Sequence, residues 1–428
     1  MIQMNTPSIF FRFIAFFSLL AALQLHAQPA QYHVTLERVD DMSRHNIAAW
    51  WSPIIYDAES QKVFVSYLRP GPEEKKDDVY VAMRESDGTW VTENTGGKAW
   101  FDDGHTQTSL AMDGNGVLHV PYGMHWHIFK NAVSKGSRTV VEGFELGEPS
   151  AFRHKGRSFT YPNLATARNG DVYLIIRQKS EGVLYQYDAS KQEWRQVTAF
   201  AGEEGATVYP DEIFAGGDGD LHIIWEWAAG GPQGARHQGS YARFEPETET
   251  FYRADGTEYA SLPISRSEAD IFQPMEGGEQ FARGVPGFQS AKMALDDQGR
   301  PLIAYAYSPN QKHNGYEHRL ARWDGARWVR QTVTEGPFAK EKPWISFHNG
   351  VIRYYGALAP SEVKDGGKGD LYARASRDFG LHWSAPMRIT ENMPIPRPIG
   401  TSHEGLDLLY LPSNKTGELF FAYVRFRD

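Results

Sequence analysis

Four side chains in the first half of this chain have the types and spacing to move protons beside an anion: His105, His125, Tyr161 and Arg177. Neutral imidazole and phenol groups can take a proton from a carbon acid and give one to a leaving oxygen when their neighbours tune them. A guanidinium can hold the charge that builds on a carboxylate when the adjacent carbon gives up its proton. Together they suit β-elimination at a uronic acid, in which C5 loses its proton and the leaving O4 gains one. His105 and Tyr161 are expected to carry the protons and Arg177 to neutralise the uronate, with His125 a further candidate for the same site. Tyr209, Trp126, Glu226 and His237 are expected to bind substrate.

These residues can meet only if the chain brings distant segments together, and an internal repeat supplies the means. One apolar pentad recurs at 63–67 (VFVSY), 118–122 (LHVPY), 172–176 (VYLII), 221–225 (LHIIW), 301–305 (PLIAY), 351–355 (VIRYY) and 419–423 (LFFAY). Each copy follows a cluster of turn residues such as Gly, Asn and Asp, and before each cluster lies another short strand, so each copy reads as the second arm of a hairpin. The copies stand roughly 50 residues apart, with longer gaps after Trp225 and Tyr355, the period of a four-stranded propeller blade. Seven hairpins predict an all-β, seven-bladed β-propeller in which residues 31–38 complete the blade of the C-terminal strand. Turns such as Ser376, Asp378, Gly380 and Trp383, an S-x-D-x-G-x-x-W pattern, close the blades and are not catalytic.

The hairpin geometry then groups the chemistry. The start of a first strand and the end of a second are neighbours, away from the turn. His105 and His125 hold those places in the second repeat, Tyr161 and Arg177 in the third, and Tyr209 in the fourth, with Glu226 and His237 beyond. His119 and His222 fall inside strands and are expected to be structural.

Composition narrows the setting. The net charge is −9 with 23% charged residues of both signs, which disfavours a nucleic-acid binder with a broad basic face, so an anionic substrate must be met by a local basic cleft. With no cysteine, a hydrophobic core has to replace disulfides. Arg12, an apolar stretch over 13–23 and a small Ala27 read as a signal peptide at 1–27, leaving one catalytic domain over 28–428 that is secreted or periplasmic, monomeric and not membrane-bound.

The stretch from Gly104 through His105 to His125, then Tyr161, Pro162 and the run from Gly170 to Arg177, resembles the BNR-repeat propellers that include the ulvan lyases. Trp225, Glu226, Trp227, His237 and Arg243 extend the resemblance over most of the chain. It implies action on ulvan, the sulfated algal polysaccharide of rhamnose 3-sulfate and uronic acids. It also implies that His105 and Tyr161 share proton transfer, with the division between base and acid depending on the epimer attacked, and that His125 supports binding or catalysis. Some of these propellers hold a structural metal through His and Cys. Here His237 is retained and Cys is absent, so a thiolate site is excluded and a metal held by other ligands stays open; the elimination itself requires no cofactor.

Two other readings compete. A sialidase-like glycoside hydrolase would need a pair of carboxylates, or a tyrosine nucleophile with an acid partner, and Glu226, Asp102, Asp103 and Glu404 are the candidates. A non-catalytic carbohydrate-binding propeller would stack sugars on Trp126, Trp225 and Trp227.

Overall fold

The computed structural model describes residues 31–44, 51–100, 105–153, 156, 158–230, 236–276, 287–308, 316–335, 342–358, 369–393, 397–413 and 417–427; the expected leader at 1–27 lies outside them. Seven antiparallel sheets follow one another in chain order. The third is built from Phe159–Thr166, Val172–Gln178, Glu181–Asp188 and Glu193–Ala201, and the fourth from Ala206–Ala215, Leu221–Ala229, Arg236–Glu245 and Thr250–Tyr252. This is the seven-bladed propeller that the repeats predict. Among the described residues no helix is long and apolar enough to cross a membrane.

The alternation of side chains along each strand explains why a ring forms. In the second strand of blade 3, Val172, Leu174 and Ile176 pack with Phe152, Phe159 and Trp194 in the core shared with blade 2. Tyr173 and Ile175, pointing the other way, pack with Val208, Ile223, Trp225 and Trp227 of blade 4. Blade 4 repeats the rule, since Ile224 turns to the Phe288 and Tyr305 core of blade 5. A sheet apolar on both faces needs a neighbour on each side, and seven such sheets satisfy one another by closing. Closure joins the termini: Gln31–Asp40 pairs antiparallel with Leu419–Arg427 as the outermost strand of blade 7.

Two details differ from the repeat as read from sequence. In blade 7 the pentad at 419–423 belongs to the third strand; the second is Leu406–Pro412, paired with the innermost strand Ile399–His403. That one-strand offset accounts for the long gap after Tyr355. The gap after Trp225 has another origin: the third strand of blade 4 pairs at one end with Thr250–Tyr252 and at the other with Asp270–Gln273, so the outer edge is split around an excursion. The Ser376 turn behaves as expected, with Asp378 accepting from Ser376 Oγ at 2.9 Å and from His382 N–H at 2.9 Å.

A chain of hydrogen bonds links the innermost strands near the ring centre. Ser52 N–H donates to Ser109 Oγ at 3.2 Å, Ser109 Oγ–H to the Pro162 carbonyl at 2.6 Å, and Asn163 Nδ2 to the Asp211 carbonyl at 3.1 Å. Glu212 continues it, accepting from Met293 N–H at 2.6 Å and facing Lys292 Nζ at 3.4 Å. Burial pushes the Glu212 carboxyl up, against the pull of Lys292. Blades 1 to 5 are thereby tied at the level where the candidate residues begin.

Candidate active site

Tyr161 and Tyr209 stand at the same kind of irregularity. In blade 3 the register passes from Thr160 opposite Arg177 to Asn163 opposite Ile175, so one extra residue is accommodated at the Tyr161–Pro162 step. In blade 4 it passes from Pro210 opposite Trp225 to Glu212 opposite Ile224. Bulges of this kind re-aim side chains at strand ends. At Tyr161 the backbone is left-handed, φ 61°, unusual for an aromatic residue and held in place by the Ser109 bond to the next carbonyl.

The structure brings His105, His125, Tyr161 and Arg177 together. The His105 and His125 rings stack with centroids 4.2 Å apart, and the His105 ring lies 5.7 Å from that of Tyr161. The Arg177 guanidinium carbon lies 4.7 Å from the ring centroids of both Tyr161 and Tyr209 and 5.5 Å from that of Trp126. Arg177 is 1% exposed, and its Nε and Nη1 donate to no acceptor among the described residues. No carboxylate among them forms an ion pair with it. Cation–π contacts with two phenol rings offset part of the cost of such a burial, but an unpaired buried cation remains a group that an anion would satisfy.

His125 takes a different route from the one its position in the repeat implies. The second strand of blade 2 ends at Pro121, and the chain then crosses to blade 3, where His125–His127 pairs with Phe159 and Thr160 as a fifth strand on the inner edge. Trp126 N–H donates to Thr160 Oγ1 at 3.0 Å and His125 N–H to His127 Nδ1 at 3.1 Å. Nothing in the hairpin pattern signals this crossing.

The remaining expected binding residues fall at different depths. Trp126 is 39% exposed, Tyr209 is buried at the ring contact with Arg177, and Glu226 is fully buried opposite Tyr209. The backbone of His237 pairs with Trp227, and its side chain lies outside what the structure describes. No group of three potential metal ligands occurs among the described residues. His119 and His222 are buried within strands, bonded to Asp113 at 3.3 Å and to the Tyr241 hydroxyl at 2.7 Å.

The geometry weighs on the alternatives. Trp225 and Trp227 are completely buried in the core between blades 3 and 4, so they pack blades and offer no face to a sugar. Glu404 lies in the hairpin turn of blade 7, at the opposite end of the blades from Tyr161 and Arg177, and Asp102 and Asp103 lie outside the described residues. One residue escaped the sequence reading: Trp51, buried, with its ring 6.0 Å from that of Tyr161, in a small cluster with Tyr209 and Ala228. The available signal was an aromatic just ahead of a proline at the start of an innermost strand, shared by Trp51 with Pro53, Tyr161 with Pro162 and Tyr209 with Pro210.

The model of a BNR repeat-containing family member matches residues 47–335. An ulvan lyase of Pseudoalteromonas sp. (strain PLSV), named as PL25, is 26% identical over 315 residues, 62% of this chain and 60% of that protein. An ulvan lyase of Alteromonas sp. (strain LOR) is 24% identical over 336 residues, 65% of each. The chain's match thus spans less than two thirds of the length of either relative. Among solved structures, a polysaccharide lyase described as PL25 ulvan lyase superposes with a TM-score of 0.68 at 18% identity, covering 90% of this chain and 94% of that one. A second, bound to -[GlcA(1-4)Rha3S]-, gives 0.68 at 17% identity with 91% and 95% covered. At that identity the structures show a shared fold.

Proposed function

The chain belongs to the BNR repeat-containing family, and from that premise we propose that it is an exported polysaccharide lyase that cuts ulvan by β-elimination at the uronic acid. The observation that carries this reading is Arg177: a buried guanidinium whose Nε and Nη1 find no acceptor, and which forms no ion pair, among the described residues, beside a phenol and two imidazoles. A hydrolase would need a pair of placed carboxylates, or a tyrosine nucleophile with an acid partner, whereas Arg177 is grouped with imidazole and phenol rings and Glu226, opposite Tyr209, is fully buried. The names of the two curated relatives supply the polymer.

In this scheme the uronate carboxylate pairs with Arg177, which makes the C5 proton easier to remove by stabilising the charge that spreads onto the carboxylate. One of His105 and Tyr161 takes that proton, the C5–H electrons form the C4=C5 double bond, the C4–O4 bond breaks, and the other group protonates O4. His125, stacked on His105, holds that imidazole in place. The scheme draws acid, base and cation from protein side chains. Export follows from the leader pattern at 1–27.

The test is incubation of the purified protein with ulvan, followed by near-ultraviolet absorbance and product mass. Unsaturated uronyl ends, absorbing and lighter by one water than hydrolysis products, are expected. Saturated products, or no shortening of the polymer, would overturn the reading.

A further inference from the structure

A guanidinium that takes up a substrate carboxylate must be reached by it, yet Arg177 is almost wholly covered. Three rings enclose it, and they are not equally held. Tyr161 and Tyr209 are themselves buried, share a cluster with Trp51 and Ala228, and cannot leave without breaking close packing. Trp126 is the outer ring, with more than a third of its surface in solvent. Its backbone is left-handed, φ 57°, a conformation a bulky residue keeps only under constraint, and the constraint is on the backbone: the Thr160 bond and the short His125–His127 strand. The indole is therefore placed over Arg177 by an anchored main chain while its outer side faces solvent.

We propose that Trp126 is a displaceable cover on Arg177: without substrate the indole closes over the guanidinium, and an incoming uronate turns it aside, pairs with Nε and Nη1, and leaves the ring to stack on the adjoining sugar. The exchange replaces a cation–π contact by charge-assisted hydrogen bonds, which are stronger, so an anionic sugar opens the cover and a neutral one does not. Trp126 thus acts as a positioning and specificity residue. The identity of the ligand rests on the lyase reading; the existence of the cover does not.

The experiment labels the full-length folded protein with p-hydroxyphenylglyoxal, an arginine-selective reagent, and follows each arginine by peptide mass spectrometry. Arg177 is expected to react about tenfold faster in Trp126→Ala than in the wild type, and within about twofold of the wild type in Trp126→Phe, which keeps a ring over the site. Arg353, buried in blade 6, is the internal control and stays slow throughout. Should Trp126→Ala also expose Arg353, Trp126→Leu replaces it in the same comparison. Equal Arg177 rates in the wild type and the truncated variant overturn the proposal. A protein that never cleaves ulvan but shows the Trp126-dependent rate keeps the cover and loses the lyase reading, so the two failures are distinguishable.

Discussion

The imidazole of His125 stacks on that of His105 at 4.2 Å, and it does so from a strand attached to blade 3 rather than to blade 2. The crossing after Pro121 sets His125 on His105, whose ring also faces Tyr161, and sets Trp126 over Arg177. Groups from three neighbouring blades thereby meet around Tyr161 and Arg177.

Among the described residues Arg177 has no counterion, and that separates stability from activity. Replacing one partner of a buried ion pair destabilises, but removing a buried charge that has no partner does not. Arg177→Met is expected to leave the thermal unfolding midpoint unchanged or raised while lowering turnover on ulvan by about 10³-fold. A large loss of stability would show that Arg177 has a structural counterion.

Proton transfer can be probed by deletions that spare packing. Tyr161→Phe removes one hydroxyl, and His105→Ala an imidazole that is partly exposed; each is expected to lower kcat by about 10²- to 10⁴-fold with circular dichroism unchanged. Near-normal turnover in both would remove these residues from the mechanism.

The tryptophans should divide by burial. Trp225→Ala and Trp227→Ala each empty a large volume between blades 3 and 4 and are expected to cost about 3–5 kcal/mol of stability. Trp126→Ala, at the surface, should cost well under half of that. Denaturant titration of the three variants checks the order.

Much of this arrangement is legible in the residues themselves. Alternation within 172–176 places both faces of a strand in apolar cores, and the turn clusters locate the hairpins, so the propeller follows from local patterns. Tyr161 and Arg177 are equally readable, because hairpin register puts a first strand's start beside a second strand's end. The crossing of His125 is not, since the partner of a three-residue strand is chosen by tertiary packing. Nor is the depth of Glu226, whose neighbours in sequence are tryptophans that could equally face solvent or core.

Burial of His222 carries a pH signature. Desolvation lowers its pKa from the usual 6.5 to about 4, so between these values the unfolded chain binds a proton that the native protein does not. Its contribution to stability is complete above about pH 6.5 and is lost as the pH falls toward 4, by at most about 3 kcal/mol. Unfolding of wild type and His222→Asn compared across this window should show a shallower slope in the variant; identical slopes would contradict the assignment.

Digestion of ulvan in heavy-oxygen water separates the two chemistries, because elimination cleaves the bond without adding solvent oxygen, whereas hydrolysis adds one atom at each cut. Unsaturated oligosaccharides free of the heavy isotope are predicted. Saturated products carrying one heavy oxygen per cleavage would show hydrolysis and contradict elimination.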